Sequence, residues 1–290
     1  MKTILYATDY SENSELALKY AHNMSDKMET KLLVIHVFDY PTMLDDLSLK
    51  GEDPFPDIEG DAYKKHNAQL KAFCKRVLKS DITSLNIEID AIENKSVVNG
   101  IVDKASEIDA FLIITGIKGN SKLRELIMGS TAKQLIEKAP CPVLTIPSDS
   151  VKTEIETIVY ASDFEEEDFG AMDKLTEIAK PFNAKIRVVH ISTLEESVGK
   201  GYKKDLETKI QKYIDYAHLK LDVLYSEDAF NALKIYYRNS NADLIAMLER
   251  EDSSIASKVF HRDLVKRMET YGKIPLLSFN AKNYGVFHLE

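Results

Sequence analysis

Only two cysteines occur in the 290 residues, Cys74 and Cys141, and they form no CxxC pair. Neither a zinc site nor a thioredoxin-like redox motif is therefore indicated, and two free thiols in a reducing compartment are the plain reading. Glycine (11) and proline (8) are sparse, so long flexible linkers are not expected. No apolar run approaches the roughly 18 residues of a membrane-spanning helix. The opening run 1–7 is too short for a signal peptide, and charge returns at Asp9 and Glu12, so the default compartment is the cytoplasm. Positive charge is in deficit, with 38 basic against 47 acidic residues and a formal net charge of −9. Such a chain lacks the global field that draws nucleic acid. Also missing are a GxxxxGK[ST] loop and a GxGxxG signature after the first strand. No Ser–His–acid or Cys–His arrangement can be assigned from residue order, and no catalytic base is visible.

What the chain does have is a repeat. Thr3-Ile4-Leu5-Tyr6-Ala7-Thr8-Asp9 returns as Thr157-Ile158-Val159-Tyr160-Ala161-Ser162-Asp163, at an offset of 154. Leu32-Leu33-Val34-Ile35-His36-Val37 returns as Ile186-Arg187-Val188-Val189-His190-Ile191 at the same offset. Further on, the run 109–114 aligns loosely with 243–247 at offset 134, and Pro142-Val143-Leu144 aligns with Pro275-Leu276-Leu277 at offset 133. The second copy is therefore about 20 residues shorter between its second and fourth strands, and the loop 39–60 is the candidate for the loss.

Each copy alternates apolar runs with amphipathic segments. Strands are expected near 2–8, 31–38, 84–92, 110–116 and 142–147, and helices near 13–28, 61–80, 95–107 and 130–138. Ser11 or Asn13 is placed to cap the first helix. In the second copy strands are expected near 155–162, 184–191, 219–225, 243–248 and 274–280. Runs such as Phe111-Leu112-Ile113-Ile114 are continuously apolar rather than alternating, as in a parallel sheet covered on both faces. The expected class is α/β, with an open, doubly wound sheet in each half. Residues 148–154 form a short polar joint, so the halves are expected to pack together.

Chemistry concentrates after the fourth strand. Gly116-Ile117-Lys118-Gly119 follows it directly, and Gly129-Ser130-Thr131 opens the next helix. A helix N-terminus presents free amides and partial positive charge, which suits phosphate. Glycines also end strands and start helices for steric reasons alone, so the pattern leaves a phosphate cradle and plain turns both open. Asp9 ends the first strand on the same side of the sheet, able to accept from a ribose hydroxyl or an adenine amine, or to cap the helix after it. Lys118, Lys122 and Arg124 either neutralise a triphosphate or form a solvated loop surface. His36 and His190 read as satisfied, partly buried histidines. The acidic run Asp45, Asp46, Glu52, Asp53 and Asp57 lacks EF-hand spacing and reads as a solvated flap.

Taken together, these features resemble the universal stress protein family in its tandem-domain form. Its nucleotide-binding members carry G-x2-G-x9-G-[S/T], which here is Gly116, Gly119, Gly129 and Ser130 without a gap. An Asp at the end of strand one (Asp9) and a final Pro142-Val143-Leu144-Thr145-Ile146-Pro147 complete the likeness. The resemblance implies a Rossmann-like, adenine nucleotide alpha hydrolase-like fold of two five-stranded parallel-sheet domains, with final strands pairing the halves. It implies an ATP-binding domain at 1–148 and a degenerate domain at 155–290 that lacks the glycine loop. It places Asp9, Val37 and Thr8 beside adenine and ribose, Gly116 near the ribose, and Gly119, Gly129, Ser130 and Thr131 at the phosphates. A Mg2+ or Mn2+ ion would be held by those phosphates and water. The function implied is a nucleotide-dependent stress sensor or regulator. A slow ATPase and a nucleotide-independent scaffold are the alternatives, and a further homodimer is left open. In the second half Arg250 and Ser253 are read opposite the glycine pair and Arg262-Asp263 near the Gly-Ser, where side chains and the charges of Glu251, Asp252 and Asp263 exclude phosphate.

Overall fold

The structure, a computed structural model, describes residues 1–39, 58–117, 129–148, 150, 152–192, 201–250 and 274–284. The first half runs β1 (Thr3–Ala7), α1 (Glu12–Lys27), β2 (Lys31–Phe38), α2 (Ile58–Leu78), β3 (Ile87–Glu93), α3 (Val97–Glu107), β4 (Leu112–Ile117), α4 (Ser130–Lys138) and β5 (Val143–Pro147). The second runs β6 (Thr157–Ala161), α5 (Glu166–Ala179), β7 (Lys185–Ser192), α6 (Tyr202–Tyr213), β8 (Leu219–Tyr225), α7 (Ala229–Ser240), β9 (Leu244–Glu249) and β10 (Leu276–Asn280). Strand three begins later than its apolar pattern suggests. Residues Ile82–Ser84 form a 3-10 turn, because the Asp81 carboxylate accepts from the Thr83 amide at 3.1 Å and diverts the backbone from the sheet.

All ten strands join one sheet in the order β3-β2-β1-β4-β5-β10-β9-β6-β7-β8. Pairing is parallel within each half and antiparallel at the β5–β10 seam. Both faces are covered, as the continuous apolar runs require. Ile4 and Tyr6 of β1 point into a core layer with α1 and α2, while Leu5 and Ala7 point into the opposite layer with α3 and α4. The first layer continues under α5 and α6 of the second half, and the opposite one under α7. Cys74 and Cys141 are free and buried in these layers, and burial pushes both thiols up to about 12, as for inert packing residues.

Beyond the seam, the side-chain amide of Asn280 donates to the carbonyls of Ile136 (3.3 Å) and Glu137 (2.7 Å), and that of Asn283 to Ala139 (2.9 Å). These carbonyls belong to the last turn of α4, which a helix leaves without internal partners. The second half thus caps a helix of the first.

Register corrects two expectations about the repeat. Leu32 pairs with Ile87 and Ile186 with Leu219, so β3 and β8 correspond at an offset of 132. The shortening therefore lies between the second and third strands. The 39–60 loop does not account for all of it, because α2 has 21 residues and α6 only 12. Likewise Ile4 pairs with Leu112 and Ile158 with Leu244, so Gly116 corresponds to Leu248 and Arg250 to Lys118. The alignment that set Arg250 opposite Gly116 is off by two residues, because two interchangeable apolar runs give no register by themselves.

Candidate functional site

The strand order places β1 between β2 and β4, with the connections leaving in opposite directions. Open α/β sheets bind ligands at such a switch point, beyond the carboxyl ends of the strands. A cleft of about 860 Å³ lies there, walled by the ends of β1, β2 and β4 and by the first turns of α1, α3 and α4. That volume falls within the roughly 300–1,000 Å³ of small-molecule and cofactor sites.

Of the residues named from sequence, Thr8, Asp9, Val37, Gly116, Gly129 and Thr131 line this cleft together. Ser130 begins α4 beside them without lining it. Gly119 lies outside the described residues, as do Lys118, Lys122, Arg124 and the acidic run 45–57. Sequence reasoning missed the apolar wall, Val97 and Ile101, one turn apart on α3. Their i, i+4 spacing just after a strand end was the available signal. It also missed Ser14.

Asp9 is held by a compact set of bonds. Its Oδ1 accepts from the Ser11 amide (3.0 Å), the Ser11 hydroxyl (2.6 Å) and the Ser14 hydroxyl (2.6 Å). Its Oδ2 carries no bond to a described residue. Partial burial works to raise the Asp9 pKa, but the bonds from Ser11 and Ser14 outweigh it and hold the carboxyl below its ordinary range. Ser11 occupies the N-cap position of α1, yet its side chain makes no capping bond. Its hydroxyl is turned to Asp9, away from the helix amides, which corrects the expectation that Ser11 or Asn13 caps the helix. Thr8 receives the Tyr10 amide on its hydroxyl at 3.0 Å, closing a turn in which Tyr10 takes φ 63°. The Thr8 carbonyl accepts from Nδ1 of His36 at 2.8 Å, which fixes that ring's proton on Nδ1. In the second half His190 makes the same bond to Ser162, also at 2.8 Å, and its Nε2 meets the Tyr202 hydroxyl. Both histidines are satisfied, as expected.

The two described glycines of the motif have different reasons to be bare. A Cβ at Gly116 would stand 2.8 Å from the Asn13 carbonyl oxygen, so this glycine lets α1 approach β4. A Cβ at Gly129 would meet nothing within 4 Å among the described residues. Its φ of −63° is open to any residue, so neither strain nor packing demands glycine there. Gly129 precedes an α4 N-terminus that has no side-chain cap. Among the described residues no group of three His, Cys, Asp or Glu is placed to hold a metal ion. No helix among them is long and apolar enough to cross a membrane.

The equivalent strand end of the second half carries larger and charged side chains. Leu248, fully buried, replaces Gly116. Glu165 and Asp168 stand where Ser11 and Ser14 stand in the first half. Asp168 is completely buried and accepts from the Tyr160 hydroxyl (2.6 Å) and the Arg250 guanidinium (3.1 Å). Arg250 also pairs with Glu165 at 3.2 Å and Glu167 at 3.4 Å. Burial works to lower the Arg250 pKa, but Asp168 and Glu165 reverse this and raise it. Ser253, Glu251, Asp252 and Arg262-Asp263 lie outside the described residues.

A doubly wound sheet with a cleft at its switch point defines an α/β protein of the Rossmann-like class. Comparison with known proteins narrows the class. The model of the universal stress protein family matches residues 1–147, and the chain belongs to that family. A universal stress protein of Methanocaldococcus jannaschii is 27% identical over 158 residues, spanning 50% of this chain and 94% of that relative. The crystal structure of a universal stress protein from Archaeoglobus fulgidus matches at a TM-score of 0.67 and 16% identity, over 96% of this chain and 98% of that one. That likeness in fold extends through both halves. Another universal stress protein of Archaeoglobus fulgidus, solved in complex with dAMP, aligns with 50% of this chain and 97% of its own at 21% identity and a TM-score of 0.33.

Proposed function

We propose that the first half binds an adenine nucleotide, ATP in particular, and that the protein acts as a nucleotide-dependent sensor or regulator rather than as an efficient enzyme. The observation that carries this reading is the N-terminus of α4, opening at Gly129 on a cleft of about 860 Å³ with an apolar wall on α3. An apolar wall together with a helix N-terminus, where amides and partial positive charge gather, suits a molecule with a flat base at one end and phosphate at the other. In this reading Asp9 and Val37 flank adenine and ribose, with Thr8 beside them and Gly116 near the ribose. Gly119, Gly129, Ser130 and Thr131 hold the phosphates. A Mg2+ or Mn2+ ion is held by those phosphates and water. The second half, whose corresponding corner carries Leu248 and the Arg250 ion pairs, is read as a structural or partner-binding copy. The two free thiols fit a reducing compartment such as the cytoplasm.

The test is to purify the chain, denature it and analyse the supernatant, then titrate the protein with ATP and magnesium. Adenine nucleotide released, or saturable uptake of one ATP per chain, is the expected result. No released nucleotide together with no uptake ends this reading.

A further inference from the structure

Asp9 has a counterpart in Asp163, but its two neighbours do not. In the first half the residues two and five positions on are Ser11 and Ser14, which donate; in the second they are Glu165 and Asp168, which accept. We infer that Ser11 and Ser14 are positioning residues that clamp Oδ1 of Asp9, so that Oδ2 meets the ligand purely as an acceptor and the cleft selects a ligand that donates a hydrogen bond there. On the reading of the cleft as an adenine-nucleotide site, the donor is a sugar hydroxyl or the exocyclic amine.

The geometry gives three donors to one oxygen, two of them hydroxyls at 2.6 Å. Each hydroxyl carries one proton, and both protons go to Oδ1. Although the two serine oxygens lie 3.1 Å apart, they have no proton left to bond each other. An ionised carboxylate has no donor of its own. The clamp also keeps the carboxyl ionised, as the lowered Asp9 pKa shows. The two clamp residues sit differently: Ser14 is buried, while Ser11 is partly exposed at the head of α1. Ser14 is additionally tied to β1, because its carbonyl accepts from the Tyr6 hydroxyl at 2.6 Å. The carboxylate is thereby fixed to both a strand and a helix, as a discriminating site requires. Oδ2 and any acceptor on a ligand would repel each other, so a ligand lacking the donor loses that bond.

Calorimetric titration with ATP, 2′,3′-dideoxy-ATP and the triphosphate of purine riboside separates the two donors, since the second lacks sugar hydroxyls and the third lacks the amine. The wild-type chain should favour ATP over one of these analogues by about tenfold or more. Ser14→Ala, and independently the more exposed Ser11→Ala, should shrink that preference to about twofold. Ser11→Thr, which keeps the hydroxyl, should restore it, and none of the three should abolish the thermal unfolding transition. A wild-type chain that binds all three nucleotides alike overturns the inference. So does a preference that survives in Ser11→Ala and Ser14→Ala. Failure to bind any of the three instead removes the nucleotide reading itself, and the inference with it.

Discussion

The two halves build the same five strands and part company at one corner. In the first, Gly116 lets the head of α1 come so close to β4 that a single added carbon would strike the Asn13 carbonyl. In the second, Leu248 occupies that strand position, α5 makes no comparable approach to β9, and Arg250 is locked to the acids at the head of α5. One copy thus has a cleft lined by small residues where the other places a leucine and an ion-paired arginine, on a common backbone plan.

Substitutions should affect the corners unequally. Arg250→Ala leaves Asp168 buried without its cation, which should cost about 3–5 kcal/mol, read as a lower midpoint in urea unfolding. Leu248→Ala removes a fully buried side chain and should cost about 3 kcal/mol in the same assay. Gly116→Ala forces a backbone shift against Asn13 and should cost about 2 kcal/mol, with nucleotide uptake weakened through the displaced α1. Gly129→Arg should change stability by less than about 0.5 kcal/mol, since its side chain enters open space, yet it should abolish nucleotide uptake. A large stability loss in Gly129→Arg would show that this glycine serves packing. A harmless Arg250→Ala would show that the second corner is not held by charge.

Much of this was legible before any coordinates. The continuous apolar runs gave a parallel sheet covered on both faces, and β2, α4 and β8 lie at 31–38, 130–138 and 219–225 as expected. Asp9, Gly116, Gly129 and Thr131 were visible because a strand-end Asp and a glycine turn opening a helix are local signals, whereas Thr8 and Val37 came from the family resemblance alone. Register was not legible. Sliding 243–247 by two residues along 109–114 keeps an apolar residue at nearly every place, so only the pairing with β6 could match Leu248 to Gly116. The role of Ser14 was equally hidden, because a serine inside an amphipathic helix looks like any polar filler until the carboxylate beneath it is located. The apolar wall was hidden for a related reason: Val97 looks like core on a helical wheel, yet it is 48% exposed at the mouth of the cleft.

The antiparallel seam sends the two sets of strands in opposite directions, so the rim that carries the cleft and the rim that carries Arg250 look away from each other. A molecule docked on the far rim has no direct access to anything bound on the near one. Yet α4, nine residues long, is gripped at its tail by Asn280 and Asn283 and presents its head to the cleft. Helix α4 is consequently a mechanical link between the rims: a tug on the end of β10 and a load on the opposite opening strain the same stiff rod.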